Sequence, residues 1–339
     1  MEKLLSVAIP TYNMEKYLNR CLDSFVIEDE NLLNKLEVIV VNDGSKDSSS
    51  AIAHEYQQKY PDVFSVIDKE NGHYGSCINA ALKVATGKYF RIVDSDDWVD
   101  TNSLTVLMED LSNREEDCLF TKFTVHDENK NEKIEQDISG LVWNKTIDLH
   151  TFEMPLNCIA MHNLTYKRAL LNAIEYKQTT GICYTDSEYV YYPFSQADTL
   201  YCYDMSLYQY YIGRGEQSMN PATLEKNFSH FQLLFDSFQK YEVKKSNCNH
   251  YRIFCHYLRL FVTYMLQVHL LFDNNYDEKR DKYIRLIVTK LKIEEPVVYK
   301  SLLGIKTHHV PYVRIWNVNS FYGRLIHSLF VVYNKTKNL

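Results

Sequence analysis

The chain has 339 residues, 45% of them apolar, and a formal net charge of −7. That length exceeds one minimal domain and implies an α/β domain with an appendage, or two domains. The acidic balance, without any long Lys/Arg run, argues against a nucleic-acid partner. No window stays apolar over the roughly 18 residues that a membrane-crossing helix needs. Eight cysteines are scattered without a CxxC pair. They read as small buried thiols in a reducing compartment, not as a disulfide framework or a zinc site. MEKLLSVAIP reads as a strand and lacks the longer apolar region and cleavage site of a signal peptide. A cytosolic protein is therefore expected. Tyrosine is abundant, at 27, and concentrated in the second half. Core packing is the default reading for these rings, with a carbohydrate platform or a partner surface as alternatives.

In chain order, Leu4 to Ile9 is an apolar run ended by Pro10, a buried-strand pattern, and Thr11, Tyr12 and Asn13 follow as a polar turn. Glu15 to Phe25 has helical spacing. LEVIVV, Leu36 to Val41, is a second buried strand stopped by NDGS, Asn42 to Ser45, and Asp47 or Ser48 can cap the next helix. Phe64 to Ile67 reads as a third strand. NGHYGS, Asn71 to Ser76, opens a helix that runs to about Ala85, and Thr86-Gly87 ends it. Its glycines fit a simple turn as well as backbone amides near a phosphate.

Tyr89 to Val93 is another buried strand, and it ends abruptly in Asp94, Asp96 and Asp97 with Ser95 between the first two. Side chains alternate along a strand, so Asp94 and Asp96 point the same way if the chain stays extended. Like charges crowded at a strand end are tolerated when a cation neutralises them, and hard oxygen ligands suit Mg²⁺ or Mn²⁺. The competing reading is a solvated turn before a helix capped by Asp100. Strands alternating with helices at this spacing mean βαβ units and a mainly parallel sheet. Polar motifs at Thr11, Asp43 and Asp94 each follow a strand directly. Ligands of open α/β sheets bind outside the carboxyl ends of the strands, so the three should converge on one crevice. That convergence favours the metal reading. There is no GxGxxG after the first strand and no GxxxxGK[ST] motif, so a dinucleotide or P-loop enzyme has no motif support.

Cys118 to Val125 is a further strand, and Asp127 to Gly140 is a hairpin or exposed loop. Met161 to Leu171 looks like a strand edge leading into a helix. Gly181 to Phe194 places Asp186 and Glu188 just before a helix, where a capping pair explains them equally well. Leu200 to Asn220 has Tyr-rich strands and then a loop carrying Arg214, Gln217 and Ser218. After about Asn220 the periodicity turns helical. The histidines there fit no metal motif and read as structural or surface groups. Ser320 to Leu339 fits an amphipathic helix. Packing on the helical appendage is favoured over a membrane surface because its basic face is thin.

SVAIPTYN, VIVVNDGSKDSS and RIVDSDDW, with TDSEY and the GRGEQS loop, together resemble the nucleotide-sugar glycosyltransferases of family 2. The resemblance covers roughly Leu4 to Asn220 and extends to bacterial enzymes that build surface polysaccharides. It implies a GT-A fold over residues 1–220, an α/β Rossmann-like sheet flanked by helices, with a helical region over 221–339. It implies an inverting, metal-dependent transfer from a nucleotide-sugar, read as a UDP-sugar, to a glycan or lipid-linked acceptor. Pro10, Thr11 and Tyr12 would line the nucleobase and ribose pocket, and Asp43 would accept a hydrogen bond from the base. Asp94, with Ser95, would contact ribose or sugar. Asp96, with Asp97 beside it, would hold Mg²⁺ or Mn²⁺. Asp186 would be the catalytic base, with Glu188 as a fallback because Thr185 stands where the family often has Glu. Arg214 and Ser218 would close over the diphosphate. A nucleotidylyltransferase would need a glycine-rich basic loop where PTYNMEKY stands. A degenerate scaffold would lack the acidic triplet or the base, and both are present. The inner membrane face and self-association stay open.

Overall fold

The computed structural model describes residues 2–155, 159–213, 221–239 and 248–337. The chain divides into two compact units, Met1–Arg214 with Lys245–His250, and Gly215–Lys244 with Tyr251–Leu339.

The first unit is built on one mixed sheet. Its strands are β1 (Leu5–Thr11), β2 (Leu36–Asn42), β3 (Phe64–Asp68), β4 (Tyr89–Ile92), β5 (Trp98–Val99), β6 (Cys118–Asp127), β7 (Glu132–Glu135), β8 (Lys145–Asp148), β9 (Leu164–Lys167) and β10 (Thr199–Ile212). The sheet order is β3-β2-β1-β4-β9-β6-β10-β5, with β7 beside β6 and β8 beside β10. β1 pairs in parallel with β2 on one side and with β4 on the other. The chain therefore reverses its direction of travel across the sheet between β1 and β4, which opens a crevice at their carboxyl ends. Helices α1 (Leu18–Asp23), α2 (Glu30–Leu33), α3 (Ser49–Lys59), α4 (His73–Val84), α5 (Thr101–Asp110), α6 (Arg168–Ala173) and α7 (Asp186–Phe194) complete the unit. Every residue of β1 is buried, as the unbroken apolar run requires of a strand covered on both faces. Cys21, Cys77, Cys118 and Cys202 are buried in this unit.

Two local expectations change. Pro10 does not end β1; the strand continues to Thr11. β4 pairs with β1 only through Ala8, so the N–H that Pro10 lacks falls where β4 has already left. The segment read as a strand edge, β9, is interior and runs antiparallel to both β4 and β6. Its polar Thr165 is tolerated there because its hydroxyl accepts a bond from the buried Arg91 Nη1 at 2.8 Å. Other elements follow the pattern. Asp100 caps α5 through Ser103 N–H, and Glu132–Glu135 folds back on β6 as a hairpin.

The second unit contains α8 (Pro221–Lys226), α9 (Phe228–Phe238), most of α10 (Cys248–Gln267), α11 (Glu278–Glu294), α12 (Pro296–Leu303), α13 (Tyr312–Trp316) and α14 (Ser320–Lys337). Phe231, Leu234, Phe238, Phe261, Met265, Ile284, Val288 and Trp316 are buried in it. A carboxylate, Asp281, sits inside this apolar set, almost fully buried. It accepts from Trp316 Nε1 at 2.6 Å and Arg285 Nε at 2.8 Å, with His269 Nε2 at 3.4 Å. Burial opposes its charge, but the bonds from Arg285 and Trp316, with His269 and Tyr276 close by, outweigh that and hold its carboxyl well below the usual range. A depressed folded-state value stabilises the fold above the ordinary Asp pKa, near 4, and that contribution is lost as pH falls. We predict that Asp281→Ala destabilises the helical unit by about 3 kcal/mol in chemical denaturation at neutral pH. The difference from the unsubstituted chain should narrow in acid.

Candidate active site

The loops after β1, β2 and β4 meet at the crevice, and short polar bonds lock them together. Past Thr11 the chain turns through Asn13, whose φ of +56° is left-handed. Asn13 N–H donates to Ser45 Oγ at 3.0 Å, and its Oδ1 accepts from Lys46 N–H at 2.8 Å. The first loop is thus pinned to the second. Tyr12 stands beside it, 46% exposed, while Thr11 is buried. Asp43 is buried at the end of β2. Its Oδ1 accepts from Gly72 N–H at 2.9 Å and pairs with Lys69 Nζ. Gly44, at φ +73°, makes the turn that follows, a conformation few side chains adopt.

The acidic stretch is a turn and not an extended strand end. Asp97 N–H donates to the Asp94 carbonyl at 3.0 Å. The alternation that would align Asp94 with Asp96 is therefore lost, and Asp94 and Asp97 come together instead. Ser95 Oγ donates to the Pro10 carbonyl at 2.9 Å, which ties the turn to the end of β1. Arg20 Nη2 donates to the Asp96 carbonyl at 2.8 Å, and its guanidinium lies 3.9 Å from the Trp98 ring centroid. Asp97 is 1% exposed and both its oxygens are engaged. Tyr208 Oη donates to Oδ2 at 2.5 Å and Tyr211 N–H to Oδ1 at 2.7 Å. Burial, then the neighbouring charges of Asp96 and Asp94, push the Asp97 carboxyl well above the usual range, and these two bonds only partly offset them.

One oxygen each of Asp94 and Asp97 and one ring nitrogen of His162 lie within 4.8 Å of one another. His162 is held by aromatic stacking, 4.4 Å from Tyr210 and 4.5 Å from Tyr208 between ring centroids. Its carbonyl accepts from the buried Arg91 Nη2. Burial, then the Arg91 charge, pushes the imidazole down to about 3, so it is neutral at physiological pH. Its buried Nδ1 makes no hydrogen bond. A neutral imidazole beside two carboxylates is a donor set suited to Mn²⁺ or a related divalent ion.

Asp186 is the first residue of α7, and burial raises its carboxyl above the ordinary value. It lies near enough to Tyr74 and Tyr210, beside the acidic turn, for its charge to act on both. Tyr74 Oη donates to Asp94 Oδ1 at 2.8 Å, and the Tyr74 hydroxyl is pushed up by burial, then by the charges of Asp94 and Asp186. Tyr210 is pushed up to about 12, first by burial and then by Asp97, Asp94, Asp96 and Asp186. Glu188 has a different place. It is fully buried, and its two oxygens accept from Thr179 N–H and Thr179 Oγ1, each at 2.7 Å. It fastens the segment before α7 and does not open on the crevice. Arg214 and Ser218 lie outside the described residues.

The model of glycosyl transferase family 2 matches residues 6–175. The chain belongs to that family. Among its relatives, an uncharacterized glycosyltransferase, MG025 of Mycoplasma genitalium, is 41% identical over 97 residues, 28% of this chain and 32% of that protein. The poly(ribitol-phosphate) beta-glucosyltransferase of Bacillus spizizenii is 39% identical over 102 residues, 30% of this chain and 16% of that protein. The matches thus span a third or less of those relatives' own lengths. The crystal structure of S. aureus TarS 1–349 in complex with UDP matches with a TM-score of 0.63 over 99% of this chain and 91% of that one. At 18% identity that likeness is one of fold.

Within this family 2 fold, sequence reasoning brought Thr11, Asp43, the acidic triplet and Asp186 to one end of the sheet. It missed His162, Tyr74, Tyr208 and Arg91. Arg91 carried a signal, because a cation inside a buried strand demands polar partners. His162, in MHNLTY, carried none. Tyr208→Phe should leave one oxygen of the buried Asp97 unsatisfied and cost about 2 kcal/mol in chemical denaturation. Tyr201→Phe, a ring outside this network, is the comparison and should cost less than about 0.5 kcal/mol.

Proposed function

We propose that this family 2 chain is an inverting, metal-dependent glycosyltransferase. It moves a sugar from a UDP-sugar to a hydroxyl of a glycan or lipid-linked acceptor in cell-surface polysaccharide synthesis. The observation that carries the reading is the gathering of Asp94, Asp97 and His162 ligand atoms within 4.8 Å of one another at the strand ends, with Tyr74 bonded to Asp94 at 2.8 Å and within the electrostatic reach of Asp186. The relatives' names and the UDP complex of a protein with this fold support the donor and the pathway.

Inversion is a single displacement, so one base suffices. Asp186 takes the proton from the acceptor hydroxyl as that oxygen attacks the anomeric carbon, and the nucleoside diphosphate leaves from the opposite face. Burial raises the Asp186 carboxyl above its ordinary value, which makes its carboxylate a better proton acceptor than a solvated aspartate. Pro10, Thr11 and Tyr12 line the nucleoside pocket, Asp43 receives the base, and Asp94 and Ser95 border the sugar. Arg214 and Ser218 remain the proposed closure over the diphosphate. A divalent cation, when bound, supplies neutralisation of the charge that builds on the leaving group. Asp94, Asp97 and His162 form the set that fits it. Asp96 is the alternative ligand that the family resemblance supplies.

Four measurements test this. Mn²⁺ with a UDP-sugar should raise the melting temperature of the first unit, a ligand at a hundredfold its Kd contributing about 2.7 kcal/mol. Absence of any shift across a panel of nucleotide-sugars would remove the donor assignment. Asp186→Asn should keep that shift and lower kcat by about 10²-fold or more. In the unsubstituted enzyme kcat should rise with pH through an acid limb above about 4, since the base must lose its proton and its pKa lies above the ordinary value. His162→Ala should weaken Mn²⁺ binding, followed by electron paramagnetic resonance, by about tenfold or more. If Asp96→Ala weakens it and His162→Ala does not, the ligand set is Asp96 with Asp97.

A further inference from the structure

We propose that the outward face of α14 is a docking surface for an anionic lipid bilayer. The helix is fixed in orientation by its inward face. Ile326, His327 and Phe330 are buried. His327 Nε2 bonds the Asp273 carbonyl at 3.0 Å, and Asn334 Nδ2 donates to the Leu271 carbonyl at 2.7 Å. At Gly323 the helix comes so near its neighbours that a Cβ would meet Tyr276 Oη at 2.6 Å and the Trp316 ring at 2.9 Å. The opposite face is therefore held outward, and it is apolar. Phe321 is 70% exposed, Leu329 57% and Val332 62%, with Leu325, Tyr322 and Tyr333 also open. At 3.6 residues per turn these six positions form one stripe along the helix.

Charge selects the occupant. From Pro296 to Leu339 the chain carries six Lys or Arg and no Asp or Glu, within a protein of net charge −7. Arg324 lies along one edge of the stripe and shares Glu278 of α11 at 2.8 Å. Lys335 and Lys337 follow in the sequence. An exposed apolar stripe with aromatic rings, in a stretch whose charged residues are all cationic, matches the acyl boundary and headgroups of an acidic membrane. A second copy is disfavoured, because a two-fold contact sets the same patch against itself and would oppose cation to cation. No helix among the described residues is long and apolar enough to cross a membrane, so the contact is with the surface.

The test is vesicle co-sedimentation of the full chain, with phosphatidylcholine alone and with phosphatidylcholine–phosphatidylglycerol mixtures. Light scattering after size exclusion is run alongside. The chain should bind the anionic vesicles and not the neutral ones. L325E/L329E should weaken that binding by about tenfold or more. K335Q/K337Q, or added salt, should weaken it by about tenfold. Leu325 and Leu329 are exposed, and an unchanged melting temperature of each variant verifies folding. Equal binding to neutral vesicles, no binding to anionic ones, or unchanged binding by L325E/L329E would overturn the proposal. A solution dimer that L325E/L329E dissolves, without vesicle binding, would assign the face to a second copy instead.

Discussion

The crowding of Asp94, Asp96 and Asp97 is the constraint on which the first unit turns. Left in an extended strand these carboxylates would fan apart into solvent. Here the Asp97 amide closes a turn on Asp94, and the Tyr208 hydroxyl and Tyr211 amide take hold of Asp97. β10, more than a hundred residues later in sequence, is thereby bonded to the acidic turn. The cost is a buried carboxylate with like charges beside it, a standing demand for positive charge. Arg20 answers only at the backbone of Asp96, and Arg91 directs its donors to Thr165 and the His162 carbonyl.

Much of this end of the sheet is legible in the order of the amino acids. Parallel strands buried on both faces announce themselves as unbroken apolar runs, and the strand-end rule then places Thr11, Asp43 and Asp94 together. What the sequence hid has a common cause. His162 enters just ahead of β9, which inserts antiparallel between β4 and β6, and Tyr208 enters on β10, which pairs in parallel with β6 and antiparallel with β5; both depend on long-range pairing and not on local pattern. Alternation put Asp94 and Asp96 on one side of an extended strand, and it does not apply where a single backbone bond converts strand to turn; the metal role of Asp96 rests on the family resemblance. Pro10 was read as a stop because a proline usually is one. It continues here because its missing donor faces the side that β4 vacates. Glu188 matched a helix-start pattern shared with Asp186, yet its burial commits it to Thr179.

Three of the eight non-glycine residues with left-handed φ among the described residues border this end of the sheet. Asn13, His73 and Tyr184 all hold left-handed φ values, of +56°, +64° and +67°. They stand after β1, at the start of α4 and two residues before Asp186. Each such residue costs on the order of 1–3 kcal/mol, and Tyr184, a bulky ring, is the least expected of them. The dense lacing among the first two loops, through Ser45, Lys46, Asp47 and Ser49, is what keeps Asn13 in place.

Gly75 lies where α4 runs against the segment preceding α7, and a Cβ there would collide with the Thr179 carbonyl oxygen. Thr179 in turn binds Glu188, two positions from Asp186. The loop that borders Asp43 and the helix that presents Asp186 are therefore geared together through backbone contact, with no compressible side chain between them. Neither can be exchanged for a relative's counterpart alone. Grafting a different loop into this scaffold would have to carry residues 178–188 with it, so the two behave as one mechanical block although about a hundred residues separate them in the chain.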